Sequence, residues 1–201
     1  MPVISNGTTL IDNGTLDAGV PTGSLILLST QTASASATIS FTTGLDSTYD
    51  EYIFKFINIH PSASDEKLGF NLSIDGGSNY NVAKTTTYFL SYHNEADTQT
   101  TLSYDPYGID LAQGTGNNFF CVGIGNENDE CLSGSMTLFN PSSTTYVKHF
   151  IGRANNYYQA DYSMDNYFAG YGNTTSAVNA IRFQMSSGNI DDGIIKLYGV
   201  K

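Results

Sequence analysis

The segment Leu68-Gly69-Phe70-Asn71-Leu72-Ser73-Ile74-Asp75 decides the fold class of this chain. Apolar side chains recur at every second position from Leu68 to Ile74, and the positions between them are small or polar. This alternation predicts a β-strand with one buried face. The sequence Asp75-Gly76-Gly77-Ser78 follows at once and predicts a tight turn, because aspartate and glycine favour turn conformations.

Other segments carry the same kind of signal. Tyr52–Ile59 is apolar on both faces, which is typical of a central strand covered on both sides, and Pro61 would end it. Nine further segments are predicted strands, and turn-forming residues separate them: Ser24–Ser29, Ala35–Thr42, Thr86–His93, Thr98–Tyr104, Phe119–Ile124, Ser133–Asn140, Tyr146–Arg153, Val178–Ser186 and Gly193–Val200.

This spacing predicts an all-β fold, an antiparallel two-sheet β-sandwich of the jelly-roll-like kind, over residues 24–201. Helical patterning is nearly absent, and we expect no more than a turn or two near Asp105–Ala112. Residues 1–23 are rich in turns and poor in apolar side chains. We therefore expect them to form an extended N-terminal arm that anchors on, or is swapped into, a neighbouring chain.

The charge of the chain excludes several classes of partner. It has 201 residues, 8 Lys and Arg, 19 Asp and Glu, and a net charge of −11. A surface so poor in cations does not suit nucleic acid or anionic lipid, so we expect neither a nucleic-acid partner nor a membrane partner. No apolar stretch is long enough to span a bilayer, and the N-terminus has no visible secretory signal.

Catalytic and metal-binding motifs are not found in the sequence. It has no GxSxG elbow and no P-loop, and His60, His93 and His149 share no metal-ligand spacing. We therefore expect no enzyme activity, no cofactor and no metal site. Two acidic segments, 126–130 and 189–193, leave calcium open as an alternative, although solvated turns are the favoured interpretation.

The two cysteines flank a predicted hairpin loop. Cys121 and Cys131 lie on either side of Gly125–Glu130, and strands paired about this loop would place the two thiols opposite each other. A cross-strand disulfide between them is then geometrically feasible. Because no secretory signal is visible, the reduced form is favoured.

One segment is dense in aromatic residues and hydrogen-bonding side chains. Its tyrosines alternate with Asn and Asp between Asn155 and Tyr171, and we interpret this region as a loop. Such residues can stack on sugar rings, and they can equally pack a subunit interface, so both interpretations stay open. The candidate glycan or interface residues are Tyr157, Tyr158, Tyr162, Tyr167 and Tyr171.

Three segments together resemble a known family. They are Tyr49-Asp50-Glu51-Tyr52, the run Ser73–Tyr80, and the C-terminal run Ser187–Gly199. Their combination is similar to β-sandwich structural modules of tailed bacteriophages, especially marine podoviruses of cyanobacteria and related hosts. Such modules are labelled tail-fibre-like or virion structural proteins. The segment Ile4–Val20 also looks like the N-termini of short members.

The resemblance implies a protein of the phage particle surface, assembled in the host cytoplasm. A short tail fibre, a head fibre or a capsid decoration protein fits the length, and the role would be attachment to host glycan, cementing of the shell, or both. We expect a homo-oligomer, with a trimer favoured, and contacts with other virion proteins. The alternative is a soluble, non-viral carbohydrate-binding β-sandwich module.

Overall fold

The computed structural model describes residues 2–5, 8–12, 15–16 and 24–201, and this part of the chain contains fifteen β-strands and no helix. The all-β prediction is confirmed. In the Asp105–Ala112 segment, where a turn or two was expected, Pro106 and Tyr107 form a turn.

The first three strands form a small antiparallel sheet within the predicted arm. They are β1 (Val3–Ser5), β2 (Thr8–Asp12) and β3 (Thr15–Leu16), in the order β1-β2-β3. Among the described residues, none of these strands pairs with the larger sheet. The remainder of the predicted arm lies outside the described residues, and its anchoring role stays a prediction.

The other twelve strands form one large antiparallel sheet: β4 (Leu25–Thr32), β5 (Ile39–Phe41), β6 (Glu51–Pro61), β7 (Glu66–Ser73), β8 (Lys84–Asn94), β9 (Thr100–Tyr104), β10 (Asn118–Ile124), β11 (Leu132–Phe139), β12 (Lys148–Tyr158), β13 (Tyr162–Gly172), β14 (Ala180–Met185) and β15 (Ile190–Val200). Eight of them form a large layer in the order β4-β15-β6-β11-β12-β13-β8-β9. The other four form a small layer in the order β10-β7-β14-β5. The layers are joined by one residue pair, Ile124 with Tyr158.

Aromatic side chains hold the two layers face to face. Phe54 of the large layer contacts Phe183 of the small layer with ring centroids 5.3 Å apart. Phe150 contacts Phe70 at 4.9 Å in the same way. The chain passes repeatedly from one layer to the other, from β4 to β5, β6 and β7 in turn. The predicted jelly-roll-like sandwich is therefore confirmed, with a core that lies between the layers.

The outer face of β6 is not covered within the described chain. Phe54 and Phe56 are buried against the small layer, whereas Ile57 is 37% exposed on the opposite face. A bulge follows, at which Asn58 adopts a left-handed conformation with φ of 49°. The outer face of β6 is therefore mixed, because the exposed Lys55 lies between the half-buried Ile53 and the exposed Ile57.

The segment interpreted as a loop is a long hairpin, and that interpretation is wrong. Strands β12 and β13 pair along their whole length, from Lys148 with Gly172 to Tyr158 with Tyr162. The three-residue turn 159–161 ends at Asp161 with φ of 64°, as is usual for a hairpin of this length. The sequence of β13 does not show the expected alternation of apolar and polar residues, because its inward position 166 is a polar residue, Asn166, that is nevertheless fully buried.

The predicted hairpin between the two cysteines does not form. Cys121 lies in β10 of the small layer, whereas Cys131 immediately precedes β11 of the large layer, and β10 and β11 are not neighbours. Both cysteines are free thiols. The intervening segment crosses between the layers instead of turning back within one sheet, which local sequence signals do not distinguish.

Candidate functional site

One cross-strand row organises the outer face of the large layer. Directly paired residues run across it from β9 to β15: Tyr104, Phe89, Tyr167, Arg153, Ser135, Lys55 and Lys196. Side chains at paired positions lie on the same face and within contact distance. The row therefore has an aromatic end, a small residue near its middle and a basic end.

A polar trough opens at the small residue of this row. Its volume is about 560 Å³. Three small residues of β11, Ser133, Gly134 and Ser135, line its floor, and the flanking side chains are Lys55, Arg153, Asn155, Ser163 and Asp165. We call this surface the polar trough. It exists because β11 carries short side chains between two strands that carry long ones.

Arg153 is fixed at the edge of the polar trough. Its guanidinium donates to both carboxylate oxygens of Asp165, at 2.6–3.1 Å. Its Cζ also lies 4.9 Å from the ring centroid of Tyr167. The hydrogen bonds from Arg153 lower the pKa of Asp165, so this carboxylate is held in its charged form.

A second hollow continues the polar trough toward the end of the β12–β13 hairpin. It has a volume of about 370 Å³ and shares Asn155 and Ser163 with the trough. Tyr157 and Tyr162 line it, together with His93, Asn94 and Glu95. We call it the tyrosine hollow. Polar hydrogen-bonding groups and the Tyr157 ring thus lie in two adjoining hollows.

Two of the predicted tyrosines, Tyr157 and Tyr162, line the tyrosine hollow, but Tyr162 is paired with Tyr158 and its ring packs against Tyr92 and Tyr158 on the inner face of the hairpin. The Tyr157 hydroxyl donates to Asp161 at 3.0 Å, and this bond raises the pKa of the phenol well above its usual value. The Tyr162 hydroxyl donates to Gln99 at 2.7 Å. Both rings are half-buried and anchored by their hydroxyl groups, so their positions are set before any ligand arrives.

Tyr158 has a structural role. Its ring covers Gly123, where an added Cβ would lie 2.0 Å from the ring, and Gly123 has φ of +65°. The ring also meets Tyr162 edge-on, with centroids 5.6 Å apart. Tyr158 therefore closes the core at the end of the sandwich and is not a free stacking platform.

The structure does not bring the remaining two tyrosines together with this hollow. Tyr167 stacks on Phe89 beside the polar trough. Tyr171 lies at the far end of the hairpin, where it pairs with His149. That position is eight residues along β12 from Tyr157, or about 27 Å at the usual strand rise. Tyr171 consequently belongs to a different part of the surface.

A buried polar network supports the hairpin from beneath. Tyr88 donates its hydroxyl proton to the side-chain oxygen of Asn166 at 2.6 Å, and the amide of Asn166 donates to that of Asn156 at 2.8 Å. The Cys121 thiol completes the group with a 3.2 Å hydrogen bond to Asn156, and burial raises its pKa. Because these groups satisfy one another, they fix the register of β12 and β13.

The two acidic segments considered for calcium meet in a separate hollow. Asp129, Asp191 and Asp192 line it with Asn58 and His60. Within the described residues, however, no group of three or more His, Cys, Asp and Glu side chains is placed to hold a metal ion. The three histidines lie apart: His60 contacts the Glu127 carbonyl, His93 contacts Asp97, and His149 lies beside Tyr171.

Sequence reasoning missed most of the polar trough. Lys55, Ser133, Ser135 and Arg153 come from three different strands, and none of them stands out locally. Only the pairing of β6, β11 and β12 brings them together. These residues could have been identified only by predicting how β6, β11 and β12 pair and in which register.

No protein-family model matches this sequence, and no curated protein is significantly similar to it. In the part of the chain that the structure describes, no helix has the length and hydropathy to cross a bilayer.

Proposed function

We propose that this protein is a non-catalytic structural protein of a bacteriophage particle, displayed on the particle surface as a short tail fibre, head fibre or decoration protein. We further propose that it contacts host-surface glycan through the polar trough and the tyrosine hollow. The observation that carries the glycan part is that these two depressions adjoin and share the lining residues Asn155 and Ser163.

The chemistry of the depression suits a sugar. Tyr157 offers aromatic surface, and Ser133, Asn155 and Ser163 offer hydroxyl and amide groups that can bond sugar hydroxyls. The depression is open and shallow, so each copy buries little of a ligand and binds weakly. Many copies on one particle raise the effective concentration and supply useful avidity.

The trough is better suited to binding than to hydrolysis. Glycoside hydrolysis by the usual route needs two facing carboxyl groups. Among the described residues, the carboxylates that line the trough and the hollow are Asp165, which is already bonded to Arg153, and Glu95, which lines the hollow alone. We propose that the protein is not an enzyme. Release of reducing sugar from a polysaccharide that it binds would contradict this.

The virion part of the proposal rests on the resemblance of the three sequence segments. In the fold these segments are scaffold: Tyr49–Tyr52 leads into β6, Ser73–Tyr80 covers the turn after β7, and Ser187–Gly199 supplies most of β15. Since β6 and β15 pair with each other, the resemblance concerns the framework beneath the trough. Labelling of purified particles with an antibody raised against this protein tests it.

The alternative function is a soluble carbohydrate-binding module. The polar and aromatic lining on which the glycan proposal rests would serve such a module equally well. Glycan binding by the purified protein together with unlabelled particles would support the module. Labelled particles would support the virion protein.

The glycan part is tested by binding to a glycan array. Tyr157→Ala should weaken binding, because it removes a ring from the tyrosine hollow. Tyr171→Ala is the matched control, since it removes a tyrosine from the same hairpin outside the hollow. Equal binding by both variants and the wild-type protein would contradict the assignment.

A further inference from the structure

Two lysines face each other across neighbouring strands at the basic end of the row. Lys55 of β6 is paired directly with Lys196 of β15, and both side chains belong to the outer face. Among the described residues, neither has a carboxylate within salt-bridge distance. Like charges at directly opposite positions of a sheet destabilise the pairing. An anion bound between them would remove that repulsion.

Three cations of this chain, Lys55, Lys196 and Arg153, lie in this one row. The chain has eight Lys and Arg against a net charge of −11. Lys84 and Lys148 are fully buried. Arg153, in the same row as the lysine pair, is already neutralised by Asp165. The lysine pair therefore holds two cations without a counter-ion on a molecule that otherwise repels anions.

The polar trough connects the lysine pair with sugar-binding chemistry. Lys55 is one of its lining residues, and Asn155 and Ser163 lie on its opposite side. We infer that the polar trough binds an acidic polysaccharide, with the carboxylate or sulfate groups of the sugar between Lys55 and Lys196. This inference rests on the proposed glycan-binding function and specifies the class of sugar.

Other anions fit this arrangement less well. Nucleic acid, anionic bilayers and densely charged polysaccharides present closely spaced negative charges, which a protein of net charge −11 repels over most of its surface, so the arrangement favours a polysaccharide whose acidic groups are widely spaced. Two lysines are enough for an isolated acidic group. The neutral donors along the rest of the trough match the hydroxyl groups between such acidic groups on a polysaccharide.

The test measures binding of the purified chain to hyaluronan and unsulfated chondroitin, which carry one carboxylate per disaccharide, to neutral dextran and to double-stranded DNA, at low and at physiological salt. We expect hyaluronan or chondroitin to bind at least tenfold more tightly than dextran, and binding to weaken with salt. Lys55→Gln and Lys196→Gln should each reduce this binding about tenfold, which is the effect of losing one charge-assisted hydrogen bond. Lys201→Gln makes the same charge change away from the trough and should leave binding unchanged.

Each other outcome overturns the inference in a distinct way. If dextran or an array glycan binds and the acidic polymers bind no better, the sugar class is wrong while the proposed function stands. If no sugar binds, both are wrong. If DNA binds as tightly as the acidic polysaccharides, the lysine pair is a general polyanion site. If Lys55→Gln and Lys196→Gln bind the acidic polysaccharides as tightly as Lys201→Gln does, the lysine pair is not the site.

Discussion

Tyr167 and Phe89 stack on the outer face of the large layer with ring centroids 4.7 Å apart and planes 3° from parallel. They are directly paired residues of β13 and β8, so the stack joins two strands as well as two rings. On the same face, the Arg153 guanidinium lies over the Tyr167 ring. The aromatic side of the polar trough is therefore rigid before any ligand binds.

The stack should contribute measurably to stability. In a double-mutant cycle with Phe89→Ala and Tyr167→Ala, we expect a coupling energy of about 0.5–1.5 kcal/mol, which is typical of aromatic pairs. Urea denaturation monitored by circular dichroism gives the four free energies of unfolding. Strictly additive effects would mean that the rings do not interact in solution.

Lys84 should make stability depend on pH. Its ammonium is buried against the Asn71 side-chain oxygen and the Val82 carbonyl, with no carboxylate among its hydrogen-bond partners, and burial lowers its pKa from 10.5 to about 8. Between these two values the unfolded chain binds more protons than the folded chain. The free energy of unfolding contributed by this group therefore rises with pH, by about 3 kcal/mol over the full window.

The Lys84 effect is measured as the difference between the wild-type protein and Lys84→Met from pH 7 to pH 10.5. The comparison is needed because buried tyrosines and Cys121, whose pKa values are raised, act in the opposite direction above about pH 9. Lys201→Met, at an exposed lysine, serves as the control and should show no such difference. A difference between wild type and Lys84→Met that is flat with pH would mean that Lys84 is not buried as a cation.

The two thiols should differ in reactivity. Cys121 is fully buried, whereas Cys131 is partly exposed, although burial and Asp129 raise its pKa. In the folded protein, we expect a thiol reagent to modify Cys131 slowly and to leave Cys121 unmodified. In urea, without any reductant, the reagent should modify both thiols. Failure to find two thiols in unreduced, denatured protein would show a disulfide and contradict the free cysteines.

The edge strand β9 should take part in the proposed homo-oligomer. It pairs with β8 alone, and Leu102 on it is 75% exposed. An exposed apolar edge strand is a template for association. We expect the wild-type protein to sediment as an oligomer, and Leu102→Lys to shift it toward the monomer. Ile74→Lys, at an exposed apolar position beyond the end of β7, is the control; a monomeric wild-type protein would contradict the prediction.

The scaffold could be predicted from the sequence where apolar residues alternate. Leu68, Phe70 and Leu72 of β7 are all fully buried, but the prediction of a single buried face is wrong, since Asn71 on the other face is buried beneath the loop residues Tyr80 and Thr115. Strand β13 was not predicted because its inward positions include the polar Asn166. The burial of Asn166 depends on Tyr88 of β8, a strand that pairs with β13 but lies far from it in the sequence. The prediction of a hairpin between the two cysteines was wrong for a related reason. Tertiary packing, and not local sequence, decides whether the chain turns back within a sheet or crosses to the other layer.

The candidate site was predictable only in part. Tyr157 and Tyr162 were selected because aromatic and amide side chains cluster in sequence, and both line the tyrosine hollow. The polar trough depends instead on a row of residues far apart in sequence, such as Lys55 and Arg153. No local pattern contains that information, since it arises from strand pairing.

The most direct test of the central claim is to fill the polar trough. Ser135→Trp places a large ring on the floor of the trough, on the outer face of the sheet, where it does not disturb the core. Thr137→Trp is the control, because it places the same ring on the same strand, two residues away and outside the trough lining. Affinity for the acidic polysaccharide is measured by calorimetry for both variants and the wild-type protein. We predict that Ser135→Trp abolishes binding while Thr137→Trp retains it; wild-type affinity in Ser135→Trp would contradict the claim that the trough is the binding site.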